Sequence, residues 1–224
     1  MGGTFEVKRA EDLLDAEFIA KWRDRKSIDP LAREVLRTIL DRFVENGGPL
    51  ETEAVTRHLP GRSPGEIQEA IARLDQKDLI LVQDGKVVLA YPFSAAPTAF
   101  RVMLGDGRGR YAVCAIDALG VSPMLGQLVR ICSSCHHCGE PLEMVVRPDG
   151  PVERASIMVW VGERGDIRQK ACSSICLTLN FFQSQEHLRQ WRKNHPEVSG
   201  AAASLDEAFK LGARIFGELL GEII

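Results

Sequence analysis

All six cysteines of this 224-residue chain fall in its second half, at Cys114, Cys132, Cys135, Cys138, Cys172 and Cys176. No hydrophobic pattern in the chain constrains its second half as tightly. The N-terminus Met1-Gly-Gly-Thr-Phe-Glu-Val-Lys lacks a basic start followed by an apolar stretch, so no secretory signal is read and a cytoplasmic location is expected. Thiols in that compartment stay reduced, and the clustering then favours metal binding or catalysis over disulfides.

Two arrangements carry the chemistry. In Tyr111-Ala-Val-Cys114-Ala-Ile-Asp117 a thiol and a carboxylate stand three residues apart, where a strand passes into a helical stretch. A thiolate is the natural ligand of a soft metal, and a carboxylate within hydrogen-bond reach can move a proton to a leaving group. The bland alternative is a buried strand cysteine followed by an aspartate that caps a helix. The second arrangement is Cys132-Ser-Ser-Cys135-His-His-Cys138-Gly139. Its Cys135-x-x-Cys138-Gly core has the shape of a zinc knuckle, and Cys172-Ser-Ser-Ile-Cys176 offers two more thiols one helical turn apart. Two such pairs separated by a hairpin are the layout of a treble-clef zinc site. Cys135, Cys138, Cys172 and Cys176 would close a tetrahedral shell of four sulfurs around a structural zinc. His136 and His137, inside the knuckle, read as exposed turn residues, and Arg108, Arg110, Asp106 and Asp149 as turn charges.

Periodicity sets the frame for these motifs. Residues 1–29 read as an N-terminal helical extension with Leu13, Leu14, Phe18 and Trp22 on one face. From Leu31 the apolar positions Val35, Leu36, Ile39, Leu40 and Phe43 fall at helical spacing until Gly47-Gly48, and residues 50–58 read as a short second helix. Ser63-Pro64-Gly65-Glu66 is a capping box that opens a third. Two apolar runs then flank Asp84-Gly85, a hairpin signal. Three helices and a hairpin make residues 30–92 a winged-helix-like domain. Residues 92–97 read as a linker. Residues 98–224 follow as a small antiparallel sheet with helices, including Ser184- and Ser204-capped helices near the end. The class is α+β.

Several functions are disfavoured. A net charge of −3 marks neither a nucleic-acid coat nor a membrane-surface protein, and no apolar run approaches the roughly 18 residues of a membrane span. The expected recognition helix sets Glu66, Glu69 and Asp75 against Arg73 alone, whereas groove binding needs cations for the phosphates. Neither nucleic acid nor membrane is an expected partner.

The segment Arg110-Tyr111-Ala-Val-Cys114-Ala-Ile-Asp117-Ala-Leu is similar to the part of the organomercurial (alkylmercury) lyases that carries a mercury-binding cysteine and a proton-handling aspartate. The likeness continues through Val129-Arg-Ile-Cys-Ser-Ser-Cys135, Gly139-Glu-Pro141, Ile167-Arg-Gln-Lys-Ala-Cys172 with Phe181-Phe182, and Ser204-Leu-Asp-Glu-Ala-Phe209-Lys-Leu-Gly212. The resemblance implies an enzyme that cuts carbon–mercury bonds by protonolysis. Cys114 and Cys172 would capture mercury, and Asp117 would protonate the leaving carbon. The products would be a hydrocarbon and Hg(II), the latter passed to solution thiols or a mercury reductase. A small organometallic compound is the implied substrate, and no organic cofactor is required. Counting from Arg168-Gln169 makes Cys172 the second mercury thiol, whereas counting back from Phe181-Phe182 makes it Cys176. Zinc and lyase readings therefore compete for the same sulfurs. The alternatives are a zinc-stabilised relative that binds a soft metal without lyase chemistry, and a metal-responsive winged-helix regulator.

Overall fold

Asp29 and Pro30 open the first long helix. The Asp29 carboxylate accepts the Ala32 N–H at 2.9 Å, Pro30 takes a first-turn position that needs no donor, and Gly47 ends the helix in the left-handed region at φ 85°. The structure is a computed structural model that describes residues 5–13, 27–153, 156–163, 169–217 and 219. In it a short helix α1 (Ala10–Leu13) precedes α2 (Pro30–Asn46). Leu14, Phe18 and Trp22 of the expected N-terminal helix lie outside the described residues. The buried stripe of α2 (Val35, Leu36, Ile39, Leu40 and Phe43) packs on α3 (Thr52–Thr56) and α4 (Pro64–Gln76). Ser63 and Glu66 form the expected capping box at the start of α4. The second helix is shorter than expected because Leu50-Glu51 leaves it to pair as a strand.

Nine strands form one antiparallel sheet: β1 (Leu50–Glu51), β2 (Ile80–Gln83), β3 (Lys86–Ala90), β4 (Phe93–Ser94), β5 (Arg101–Met103), β6 (Gly109–Ala112), β7 (Val129–Ser134), β8 (Pro141–Arg147) and β9 (Gly150–Pro151). Their order is β1-β3-β4-β6-β5-β7-β8-β9, with β2 also on β3. The expected linker is where structure and expectation part. Phe93-Ser94 pairs with Leu89-Ala90 on one side and Tyr111-Ala112 on the other, so one sheet runs from the helical N-terminal part into the cysteine-bearing part. The backbone amides of β4 find ladder partners there, and Phe93 is fully buried.

Arg110 reinforces that junction. Expected as a turn charge, it is instead buried, and its guanidinium donates to the carbonyls of Phe43, Val44 and Glu45 at the C-terminal end of α2. The Phe43 carbonyl also accepts the Gly47 N–H at 2.9 Å, and the helix dipole is negative at this end, so a cation suits the position.

Beyond β6 the chain enters α5 (Ala115–Leu125), a helix apolar on nearly every side and buried almost throughout. The sheet covers one face of it. The other face receives α7 (Leu205–Phe216), an amphipathic helix capped by Ser204. Between these helices in sequence, β10 (Met158–Gly162) lies between β11 (Asn180–Phe182) and β12 (Gly200–Ser204) in a second, three-stranded antiparallel sheet. Helix α6 (Gln185–Asn194) packs beside it, capped by Ser184. Trp160, Phe181 and Phe182 are core residues. No described helix is long and apolar enough to cross a membrane.

Candidate functional site

The C-x-x-D spacing works because of where the helix begins. Cys114 is extended (φ −149°, ψ −179°) and serves as the N-cap of α5, with its sulfur 3.4 Å from the Asp117 backbone N–H. A residue three positions into a helix points back at its cap. The Asp117 carboxylate accordingly meets the Cys114 thiol, with Sγ 2.8 Å from Oδ2. Asp117 does not cap the helix; sulfur takes that place.

Cys176 arrives from elsewhere in the chain. It lies in a 3₁₀ turn (Ile175–Thr178) whose following residue, Leu179, accepts the Ala115 N–H at 3.1 Å. That contact brings the Cys176 sulfur to 3.9 Å from the same Asp117 Oδ2. The ligand atoms of Cys114, Asp117 and Cys176 all lie within 4.8 Å of one another, and all three residues are buried.

Cys172 stands just outside this trio, half-buried, one 3₁₀ turn earlier (Ala171–Ser173). The N-terminal part of the chain holds its backbone. The Tyr91 hydroxyl accepts the Cys172 N–H at 2.8 Å and donates to Asp78, whose other oxygen accepts the Ala171 N–H at 2.9 Å. Lys170 bonds both the carboxylate and the carbonyl of Asp75.

The electrostatics favour neutral thiols at rest. Burial pushes the Cys114 thiol well up, helped by its hydrogen bond with Cys176 and the negative Asp117 carboxylate. For Cys176, the hydrogen bond with Cys114 pulls down, but burial and the Asp117 charge outweigh it and the thiol is raised. The Tyr91 phenol is raised too, by burial first and then by the nearby sulfurs and Asp78. Two sulfurs and one carboxylate around a common point suit a soft metal with a proton acceptor beside it.

The knuckle builds a second cluster. Cys135 and Cys138 face His187, with sulfur–Nδ1 distances of 3.5 and 3.4 Å. Burial works against ionisation at Cys135, but hydrogen bonds from Gln183 N–H, from His187 and from the knuckle amides bring its thiol down to about 7. The four sulfurs expected around one zinc are thus divided among the described residues. Cys135 and Cys138 meet a histidine, while Cys176 meets Cys114 and Asp117, and Cys172 belongs to neither trio. Cys132 sits on β7 opposite Glu143, also outside both.

The geometry has counterparts among known proteins. The model of the alkylmercury lyase family matches residues 93–217. An alkylmercury lyase of Bacillus cereus is 30% identical over 200 residues, covering 88% of this chain and 81% of that one. This chain belongs to the alkylmercury lyase family. The alkylmercury lyase of Staphylococcus epidermidis is 28% identical over 192 residues, 84% of each chain. A crystal structure described as the mercury-bound form of MerB2 superposes with a TM-score of 0.76 at 27% identity, covering 92% of this chain and all of that one.

Two features of the site escaped the sequence. His187 carries no motif; the available signal was a histidine three residues after a helix-capping serine, directly behind the buried Phe181-Phe182 strand. Tyr91 and Asp78, which seat the Cys172 segment, are separated from it by more than 80 positions, and nothing local marks them.

Proposed function

We infer that this chain is an organomercurial lyase, cutting carbon–mercury bonds to give a hydrocarbon and Hg(II), and that Cys114, Asp117 and Cys176 carry the reaction. The observation behind the residue assignment is the pair of sulfurs at 2.8 and 3.9 Å from one carboxylate oxygen. One thiol displaces the ligand X of an R–Hg–X substrate; its proton leaves as HX and a sulfur–mercury bond forms. The second thiol gives its proton to Asp117 and its sulfur joins the metal. Two thiolates load electron density onto mercury, Asp117 returns the proton to carbon, and the carbon–mercury electron pair becomes the new C–H bond. Hg(II) is left between two sulfurs, to be taken by solution thiols or a mercury reductase. No electron is gained or lost overall, so no redox cofactor enters.

Cys172 is the outer thiol in this reading. It is half-buried, whereas the reacting sulfurs are enclosed, and its position next to Cys176 suits it to take up the organomercurial and pass it inward by thiol exchange. The winged-helix-like part, residues 30–92, serves as scaffold. On its α4 surface Arg73 is engaged by Asp29 and Glu69.

Hydrocarbon release from phenylmercury under single-turnover conditions tests the assignment. Cys114→Ala and Cys176→Ala are expected to release none. Cys172→Ala is expected to keep the chemical step and slow uptake. Full activity in Cys176→Ala with none in Cys172→Ala would transfer the second mercury thiol to Cys172, and full activity in Cys114→Ala would overturn the scheme.

A further inference from the structure

The knuckle cluster lies outside the carbon–mercury chemistry and uses none of its residues. We propose that Cys135, Cys138 and His187 form a separate metal site that takes a zinc ion, with its fourth position open to solvent. In a tetrahedral zinc site with Zn–S near 2.3 Å and Zn–N near 2.05 Å, a sulfur and a nitrogen are about 3.6 Å apart. The two sulfur–Nδ1 separations here are 3.5 and 3.4 Å, and all three donor atoms fall within 4.8 Å of one another. Both sulfurs already stand at a zinc-site distance from the ring nitrogen.

Several backbone amides are aimed at the two sulfurs. The Cys135 sulfur accepts the Gln183 N–H at 3.4 Å, and the amides of His137 and Cys138 also point at it. The amide of Glu140 points at the Cys138 sulfur. Backbone N–H groups aimed at sulfur favour the deprotonated ligand form and orient it. The turn itself is closed by Cys135 N–H to Glu140 O and Gly139 N–H to Cys135 O, both 2.8 Å, with Gly139 in the left-handed region at φ 79°.

His187 is equally fixed. It occupies the first turn of α6, where Ser184 accepts its backbone N–H at 3.2 Å. A metal here would tie the β7–β8 turn to α6 across 49 positions of sequence, alongside the existing bond from His136 N–H to Phe181 O. Cys138 is exposed, so the ion enters from solvent, and a water supplies the fourth ligand. His137 is turned to Gln190, with Nε2 3.0 Å from Oε1, and takes no part.

The test loads the full chain, purified without mercury, with Zn(II) and in parallel with Co(II). Metal content is measured after gel filtration, and thiolate-to-cobalt charge-transfer absorption counts the bound sulfurs. The expected result is about one equivalent with the intensity of two thiolates, falling below about a tenth of an equivalent in Cys138→Ala and in His187→Gln. Cys172→Ala and Cys176→Ala should keep the full equivalent. Because Cys138 is exposed, its variant reads the site even if His187→Gln folds poorly, which circular dichroism would reveal. Failure of the wild type to bind either ion, or retention of the ion by Cys138→Ala, overturns the proposal. Loss of metal in Cys172→Ala or Cys176→Ala also overturns it, in favour of a four-sulfur shell. None of these readouts depends on carbon–mercury cleavage.

Discussion

The thiol of Cys114 and the carboxylate of Asp117 are joined by a 2.8 Å hydrogen bond inside the protein core, on the first turn of one helix. The helix does not need that carboxylate as a cap, because the sulfur already serves there, and in the proposed reaction the carboxylate carries a proton. Metal capture by two thiolates does not need it; protonation of carbon does.

Asp117→Asn therefore separates the two functions. The amide keeps the shape and can still hydrogen-bond Cys114, but cannot carry the proton. We expect Hg(II) binding to persist while turnover falls by roughly 100-fold or more, the scale of a lost acid–base group. Benzene release from phenylmercury, measured beside Hg(II) binding, decides the matter. Turnover within about twofold of wild type would sink the proton-carrier role.

Arg110→Met should lower stability by about 2–3 kcal/mol without removing any site residue. The methionine fills much of the volume but leaves the Val44 carbonyl without its donor, while Phe43 keeps the Gly47 N–H and Glu45 keeps Arg108, and a stranded acceptor of this kind costs about 1–3 kcal/mol. Urea unfolding gives the number. An unchanged midpoint would mean that water replaces the guanidinium at no cost.

Helices α5 and α7 meet at two glycines. A Cβ on Gly120 would stand 2.3 Å from the Phe216 ring, and one on Gly212 would stand 2.8 Å from the Ile116 carbonyl oxygen. The second contact is with backbone, which cannot swing aside. Gly212→Ala should thus cost more than Gly120→Ala, although alanine is the better helix former, and overpacking of this kind costs about 1–3 kcal/mol. Melting temperatures of the two variants test the order.

Alkaline pH should unfold the protein by a defined route. Cys114, Cys176 and Tyr91 are all held in their neutral forms by burial and neighbouring negative charge, above ordinary values of 9.0 for the thiols and 10.0 for the phenol. As pH rises, the unfolded chain loses these protons first and so binds fewer than the folded one. The contribution of these three groups is therefore complete below about pH 9 and falls as the pH rises beyond it. Urea midpoints at intervals from about pH 7 to 10 should show the decline, with a shallower slope in Cys114→Ala. A flat profile would contradict the burial of these groups.

What the sequence determined by itself is local. Ser63 through Glu66 announced a helix start, Asp84-Gly85 a hairpin, and Cys114-x-x-Asp117 a thiol and carboxylate on one helical turn. Each rests on hydrogen bonds within a few residues, with Asp84 and Gly85 both in the left-handed region as a two-residue turn requires. What only the tertiary structure decided is which distant side chains complete each cluster. Cys172 and Cys176 are equivalent by motif, and the choice between them at Asp117 depends on how a 3₁₀ turn docks against the start of α5, 59 positions away. Likewise His187 joins Cys135 and Cys138 only because β11 and α6 return beside the knuckle, and the linker became a strand only because Tyr111-Ala112 offered it an edge. A metal ligand or a ladder partner is chosen by distances of a few ångströms, and for segments so far apart in the chain those distances are set by packing.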